Sequence, residues 1–378
     1  MIKKVAILTN GGDCPGLNAV IRAIVKVARA NDISVYGYIE GYKGLLNNNY
    51  IELSVTETAS GILHKGGTII GSSNNMNVFN VKTEENGEIV YKDLSEQCVQ
   101  NLKNMEIDCL FTIGGDGTLK SGRDFSLKGV NVIGIPKTID NDVPSTDITF
   151  GYNTAVSVAT EALDRLHSTA ASHNRIMVLE VMGRYAGWIA LESAIAGGAD
   201  VALLPEIPYD INKVVDKINE RKNMGKEFSI IVVSEGAKPI DGEMVIKKNL
   251  DDGKGLDNVR LGGIGEKVAN DIEELTGVVT RNTTLGYVQR GGTPTSFDRV
   301  LSTKYGAKAM QLAIEGQFNV LVRLNGGKLD SISLEEIIGE NTEIGAASGR
   351  TGKTYLKRVE MSDDLIKTAK AIGICLGD

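Results

Sequence analysis

The chain predicts an α/β protein with parallel sheets, and three observations predict it. Short apolar runs that read as strands alternate with helical patterns almost throughout, which implies right-handed crossovers and helices on both sheet faces. The length of 378 residues is enough for two domains with full cores. Strand after strand also stops at glycine, acids or arginine, and in open α/β sheets the carboxyl edge is where ligands bind.

Val5 to Thr9 reads as the first strand, and Asn10 to Gly16 as a glycine loop. A helix follows, carrying Leu17, Val20, Ile21, Ile24 and Ala28, with Pro15 where a first helical turn tolerates it. A glycine loop that opens a helix offers N–H groups and the helix dipole to phosphate, although alone it reads equally as a tight turn. Ser34 to Ile39 is the next strand and Gly41 to Gly44 a loop. Phe79 to Val81 and Glu88 to Tyr91, on either side of Asn86 and Gly87, read as a surface hairpin.

Leu110 to Ile113 is a buried strand that stops at Gly114, Gly115, Asp116, Gly117 and Thr118. Its glycines let the backbone approach an anion, while Asp116 supplies a carboxylate for the accompanying cation, a combination that suits phosphate with magnesium. Val130 to Ile135 is a second strand, ending at Pro136, Lys137, Thr138, Ile139, Asp140, Asn141 and Asp142. On an extended segment Thr138, Asp140 and Asp142 would share one side. One carboxylate can then take a hydroxyl proton as a phosphoryl group arrives. The same three residues Asp140 to Asp142 also fit an Asx turn.

Asn153 is placed to cap a helix carrying Ala155, Ala159, Ala162, Leu163 and Leu166. Arg175 stands before the strand Ile176 to Val181, and Met182, Gly183 and Arg184 end it. Ala186 to Ile195 is a helix, Val201 to Leu204 a strand, Ile211 to Asn223 a charged helix, and Ser229 to Val233 a strand ending at Glu235. Lys238 to Gly263, rich in Asp, Lys and Gly, reads as a mobile surface insertion. Ile264 to Leu275 is a helix, Leu285 to Val288 a strand, and Gln289 to Gly292 a turn into the helix from Phe297 to Ala313. Val320 to Leu324 is the last strand expected.

Composition narrows the function. With 42% apolar and 24% charged residues the chain is an ordinary globular protein. A net charge of −7 argues against nucleic acid or an anionic membrane as partner, so an anionic substrate needs a local cluster of Arg and Lys. Arg175, Arg184, Arg281 and Arg290 all fall at expected strand boundaries, and a planar guanidinium matches phosphate oxygens. Singly, each would read as a solvated surface arginine. Cys14, Cys98, Cys109 and Cys375 show no CxxC spacing, which fits reduced thiols in a cytoplasm. No signal peptide and no membrane-spanning segment is expected. His64, His167 and His173 lack metal-ligand spacing, Cys14 reads as a small side chain in a crowded turn, and Trp188 reads as packing. Walker and GxGxxG loops are absent.

Taken in order, Thr9 to Gly16 (TNGGDCPG), Gly114 to Thr118 (GGDGT), Pro136 to Asp142 (PKTIDND), Met182 to Arg184 (MGR) and Leu285 to Gly292 (LGYVQRGG) resemble the phosphofructokinases. The resemblance covers nearly the whole chain. It implies two doubly wound parallel-sheet domains with the active site in the cleft between them. One would be a donor-binding domain of 1–150 plus 289–340, the other a sugar-phosphate domain of 151–288 plus 341–378. By resemblance the reaction moves a phosphoryl group from ATP to the 1-hydroxyl of fructose 6-phosphate, with Mg2+, in the glycolysis of a cytoplasm.

The family's roles carry over by position. Asp140 is the base, Asp116 the magnesium ligand, and Gly11 offers its backbone N–H to the transferred phosphate. Gly12, Gly115, Gly117 and Thr118 complete the donor loops, and Tyr42 resembles a residue packing near the nucleotide base. Thr138, Asp142 and Arg184 orient and stabilise transfer. Met182, Gly183 and Glu235 contact the sugar, and Arg175, Arg281 and Arg290 grip the 6-phosphate. Arg175 and Arg281 reach the site from a neighbouring subunit in that family, which implies a homo-oligomer, a dimer or tetramer.

Three positions depart from the best-known bacterial ATP enzymes. Tyr287 stands where they have His beside the 6-phosphate, Asn74 where they have Arg near the transferring phosphates, and His167 where they have Arg at an effector site. Gly117 is of the ATP kind, whereas Lys137, which attracts either donor, is of the kind seen in pyrophosphate enzymes. A pyrophosphate-dependent fructose 6-phosphate 1-phosphotransferase therefore stays open beside the ATP reading. Kinases of the NAD or diacylglycerol type share a GGDG-like loop but not the later motifs. A catalytically silent sugar-phosphate or nucleotide sensor would not need Asp140.

Overall fold

The computed structural model describes residues 2–73, 76–85, 87–249, 259–338 and 356–378. In chain order its elements are β1 (Lys4–Thr9), α1 (Leu17–Arg29), β2 (Ser34–Tyr38), α2 (Tyr42–Leu46), β3 (Tyr50–Glu52), β4 (Val81–Glu85), β5 (Glu88–Lys92), α3 (Ser95–Asn104), β6 (Cys109–Gly114), α4 (Asp116–Leu127) and β7 (Val132–Pro136). They continue with α5 (Tyr152–His173), β8 (Ile176–Val181), α6 (Trp188–Ala196), β9 (Val201–Leu203), α7 (Ile211–Asn223), β10 (Ser229–Ser234), β11 (Ile246–Asn249), β12 (Val259–Leu261), α8 (Ile264–Thr276) and β13 (Thr280–Thr284). A 3₁₀ turn (Gly286–Gln289), α9 (Ser296–Ile314), β14 (Val320–Asn325), β15 (Lys328–Ser333), α10 (Leu334–Ile338) and α11 (Asp364–Ala371) complete them.

The chain divides into two compact units. The first comprises Met1–Ile139, Val143–Gly151 and Arg290–Glu343, and the second Asp140–Asp142, Tyr152–Gln289 and Ile344–Asp378. The boundary expected at residue 150 kept Asp140, Asn141 and Asp142 with the first unit, whereas their contacts group them with the second.

Among the described residues, the first unit holds a seven-stranded sheet of order β15-β14-β7-β6-β1-β2-β3. It is parallel from β14 to β2, with an antiparallel strand at each edge. Its middle strands are mostly apolar, as strands buried on both faces are, and Val5 to Leu8 and Leu110, Phe111 and Ile113 have no exposed surface. From β1 the chain builds β2 and β3 on one side, then crosses to β6, β7 and β14 on the other. The carboxyl ends of β1 and β6 therefore flank the point where strand order reverses, the place such sheets leave for a ligand.

The second unit holds a parallel sheet of order β13-β8-β10-β9 over a core that includes Val178, Leu203, Val214, Ile231 and Val268. Glu180, buried in the middle of β8, accepts the backbone N–H groups of Gly263 (3.1 Å) and Gly265 (2.8 Å) and so satisfies the start of α8. The open side of β9 is paired by the carboxyl-terminal residues. Ala202 N donates to Cys375 O (2.9 Å), Cys375 N to Asp200 O (3.0 Å), and Asp210 N to Gly377 O (2.8 Å). No helix among the described residues is long and apolar enough to cross a membrane.

Several elements differ from expectation. Gly41 to Gly44 is not a loop but leads into α2, and Asn153 lies inside α5 rather than capping it. Pro15 precedes α1, whose N-cap is Gly16. The hairpin's first strand is Val81–Glu85 instead of Phe79 to Val81, and its turn residue Asn86 lies outside the described residues. The insertion read at Lys238 to Gly263 contains the antiparallel pair β11 and β12, and its residues 250–258 lie outside the described residues. Leu285 to Val288 is not a strand: Val288 is 64% exposed in the 3₁₀ turn, and the preceding Thr280–Thr284 takes the strand's place beside β8. An edge strand has one unpaired side, so polar residues suffice there. Val320–Asn325 is followed by a further strand, β15, and β3 was not expected either.

Candidate active site

Three loops meet at the carboxyl edge of the first unit's sheet because β1, β6 and β7 are neighbours there, in register Thr9 with Ile113 and Gly114 with Pro136. The ladder runs one residue past the strands, Asn10 N donating to Ile113 O (3.1 Å) and Lys137 N to Gly114 O (3.0 Å). Lys137 then crosses between loops. Its side chain is buried and its Nζ donates to Gly12 O.

Gly11 adopts φ +79, a conformation that favours glycine. Its N–H, expected to face the transferred phosphate, donates instead to Ser73 O (3.0 Å), while Ser72 Oγ donates to Gly11 O (2.6 Å). The loop is thus clasped by residues 72–73, a contact with no local sequence signal. Asn74, the next residue, lies outside the described residues. Gly12 makes room for an arginine: a Cβ there would stand 2.6 Å from Arg290 Nη1, which donates to Asp13 O (3.2 Å). Arg290 therefore lies on the first glycine loop, in the first unit.

Asp116 opens α4 after Gly115, whose backbone is extended at the N-cap. A carboxylate there faces the positive end of the helix. Gly117 is exposed, and a Cβ added to it would meet nothing within 4 Å. Thr118 is buried, and its carbonyl accepts the Tyr42 hydroxyl (3.0 Å). Tyr42 itself has no exposed surface and stacks on Phe125 with ring centroids 5.8 Å apart. That corrects its expected role, since a ring wholly inside the core cannot lie against a nucleotide base and instead supports the first turn of α4. Burial pushes its phenol well up. Cys14 is also fully buried, with Sγ on Phe150 O (3.5 Å), and burial raises its thiol, so it stays an inert packing group.

Thr138 O accepts Thr149 Oγ1 (2.7 Å). Beyond it the chain is not extended, as the same-side reading of the acids required. It bends at Ile139 and Asp140, and Asn141 sits at φ +52, a left-handed conformation that asparagine tolerates better than most residues. Asp140 and Asp142 are thus brought into the second unit by a turn, not by strand alternation.

In the second unit, β8 and β10 pair Val181 with Ser234, which delivers Met182, Gly183, Arg184 and Glu235 to one edge. Glu235 N donates to Val181 O (2.8 Å) and Gly236 N to Gly183 O (3.2 Å). Gly183 has φ +130, and a Cβ there would lie 2.4 Å from Ser234 Oγ, so no other residue fits the turn. Arg184 Nη2 donates to Val259 O (2.9 Å), and Met182 N to Gln289 Oε1 (3.4 Å), beside the exposed Tyr287. Arg175 and Arg281 stand at the other end of the same sheet. Arg175 precedes the first residue of β8, and Arg281 is in register with Met177 and pairs with Glu273 at 3.2 Å.

Among the described residues no group of three His, Cys, Asp or Glu side chains could hold a metal. Asp116 alone suits a cation that arrives on phosphate oxygens and keeps most of its water. A cavity of about 440 Å³ lies elsewhere, between α7 and the terminal residues, where Lys217 pairs with Glu220 and Lys370 with Asp378. None of the residues lining it belongs to these loops, so it is not the site they form. His167 Nε2 lies 2.7 Å from Gly197 O, a packing contact at the end of α6.

The model of the Phosphofructokinase family matches residues 4–313. The chain is 56% identical over 380 residues to ATP-dependent 6-phosphofructokinase 2 of Clostridium perfringens, covering 100% of this chain and 99% of that protein. It is 44% identical over 377 residues to ATP-dependent 6-phosphofructokinase of Chloroflexus aggregans, with 100% and 98% covered. Among solved structures it resembles phosphofructokinase from Saccharomyces cerevisiae, with TM-score 0.74 and 31% identity, covering 88% of this chain and 45% of that one. A pyrophosphate-dependent phosphofructokinase from Marinobacter aquaeolei, at TM-score 0.75 and 21% identity over 99% of this chain and 88% of that one, shares the fold.

Proposed function

We infer, from a chain that belongs to the phosphofructokinase family, that this protein is an ATP-dependent 6-phosphofructokinase, forming fructose 1,6-bisphosphate from fructose 6-phosphate. The observation that carries the choice of donor is the open volume before Gly117. A nucleotide extends past its transferred phosphate, and a side chain at that position, above all a carboxylate, would crowd and repel the α-phosphate. Lys137 is the one feature that suits pyrophosphate as well, since a cation attracts either donor.

Asp140 takes the proton of the sugar 1-hydroxyl as the phosphoryl group arrives, with Thr138 and Asp142 orienting it and Arg184 countering charge in transfer. Lys137, bound to Gly12 O, holds the glycine loop closed while its charge faces the donor phosphates. Gly11, Gly12, Gly115, Gly117 and Thr118 shape the loops. Asp116 would hold Mg2+, which when bound neutralises phosphate charge. Met182, Gly183, Glu235 and Tyr287 contact the sugar phosphate, and Arg175, Arg281 and Arg290 bind its 6-phosphate.

Support for a homo-oligomer comes from the second unit. The six residues of β8 separate Arg175 from Met182 by about 23 Å at a strand's rise per residue. One sugar phosphate cannot touch both in the same chain. Arg175 and Arg281 therefore serve the site of another copy, in a dimer or tetramer, and the setting is cytoplasmic.

The test is turnover with ATP or pyrophosphate in parallel, with magnesium and fructose 6-phosphate, for the unaltered chain and Gly117→Asp. The expected result is a higher kcat/KM with ATP, lost in Gly117→Asp while fructose 6-phosphate binding persists. A higher kcat/KM with pyrophosphate overturns the donor assignment.

A further inference from the structure

The family match ends at residue 313, so Lys357, Arg358 and Val359 lie outside it, yet the first of them is bonded to the acid segment of the second unit. Lys357 N donates to Asp142 O at 2.9 Å. The carbonyl of the same residue accepts Trp188 Nε1 at 3.3 Å, and Lys357 Nζ stands 5.4 Å from the indole centroid, a cation–π distance. Arg358 lies 6.0 Å from the Tyr185 ring. Val359 N donates to Glu206 Oε1 at 2.9 Å, and the same carboxylate accepts Gly187 N at 3.0 and 3.1 Å.

Three successive residues are thereby fastened to the loop that follows Arg184 and to the carbonyl of Asp142. The fastening matters because of how the acids are held. Beyond Thr138 the chain leaves the ladder, bends twice and passes through a left-handed Asn141, so no strand register fixes the acid pair. A segment of that kind takes its geometry from outside contacts. Trp188 is 7% exposed and Tyr152 OH donates to its carbonyl (3.2 Å), so the anchor is buried at the start of α6 and tied to α5.

We propose that Lys357–Val359 is a strap that positions Asp142, and through it Asp140, for phosphoryl transfer, with Trp188 and Glu206 as the positioning residues that seat the strap. The inference rests on the reading of Asp140 as the base. It assigns a role in the chemistry to a segment that the family match does not reach. Displacement of a reacting group by about 1 Å costs on the order of 100-fold in rate, so a strap of single hydrogen bonds is enough to matter.

The full-length chain carries the test in two variants. Lys357→Pro deletes the N–H that donates to Asp142 O, and Trp188→Phe deletes the indole donor while keeping an aromatic ring in place. In each, kcat should fall about fivefold or more while both KM values stay within about twofold. Trp188 is the single tryptophan, so in Lys357→Pro its emission should also move to longer wavelength as the strap lifts. A kcat within about twofold of the unaltered enzyme, or a fall matched by KM, overturns the proposal. So does an unmoved emission in Lys357→Pro. If Lys357→Pro does not fold, Trp188→Phe decides alone. An unaltered chain without turnover counts against the kinase reading, and the emission of Trp188 in Lys357→Pro then decides whether the strap is seated.

Discussion

At the carboxyl edge of the seven-stranded sheet, the loops after β1, β6 and β7 are tied to their neighbours in the same unit. Lys137 reaches Gly12, Asn10 reaches Ile113, Gly11 is clasped by Ser72 and Ser73, and Arg290 lies on Asp13. The four-stranded sheet divides its residues between two ends. Met182, Gly183, Arg184 and Glu235 are gathered at one, while Arg175 and Arg281 stand at the other with Arg281 held by Glu273. The first arrangement is preorganised within one chain, and on the proposed reading the second is completed by Arg175 and Arg281 of another copy. Donor binding and sugar binding should therefore respond differently to substitution and to dilution.

The largest expected effect concerns the residue proposed as the base. Asp140→Asn should lower kcat by about 100- to 10,000-fold with little change in fructose 6-phosphate binding, as loss of a general base does. Retention of more than half the kcat would take Asp140 out of the mechanism. Next come the two arginines at the far end. Arg281→Ala and Arg175→Ala should each raise the KM for fructose 6-phosphate by about 10- to 150-fold, the equivalent of about 1.5–3 kcal/mol for a charge-assisted contact. The unaltered enzyme should lose sugar affinity on dilution while ATP affinity holds. If sugar affinity is independent of concentration, the division between the sheets fails. Arg290→Ala sharpens the same comparison, because its guanidinium lies on the first glycine loop. A rise in KM for fructose 6-phosphate keeps it a sugar ligand, and a rise confined to ATP moves it to the donor half.

The smallest effect belongs to Tyr42→Phe. Loss of the hydroxyl bond to Thr118 O should cost about 0.5–1.5 kcal/mol of stability, read as a lower thermal midpoint, with the KM for ATP within about twofold. A tenfold rise in that KM at unchanged midpoint would return Tyr42 to the nucleotide.

What could be read from residues alone follows physical rules. Parallel strands buried on both faces are continuous apolar runs, so β1, β6, β8 and β10 were legible, and their glycine and acid endings marked the edge where ligands belong. Thr280–Thr284 was not legible, because an edge strand needs no apolar run, and the apolar Leu285 to Val288 beside it drew the reading away. The residue types of the donor loops were legible, but not that Ser73 takes the Gly11 N–H, since nothing local links residues so far apart. Tyr42 failed for a related reason, as an aromatic after a loop reads alike whether it faces core or ligand. The turn at Asp140 to Asp142 was one of two readings that composition left open, and only the backbone of Asn141 separates them.

The pairing of Cys375 with Val201 also governs the order in which the chain can mature during its own synthesis. β9 is made well before residues 375–377, and its outer side stays unpaired until they have emerged. Through that interval an open strand edge is offered to any neighbouring nascent chain, which is how aggregation begins. A message cut short of that point would yield a polypeptide that has Asp116, Asp140 and Asp142 but an unsealed sheet, a substrate for chaperones and proteases.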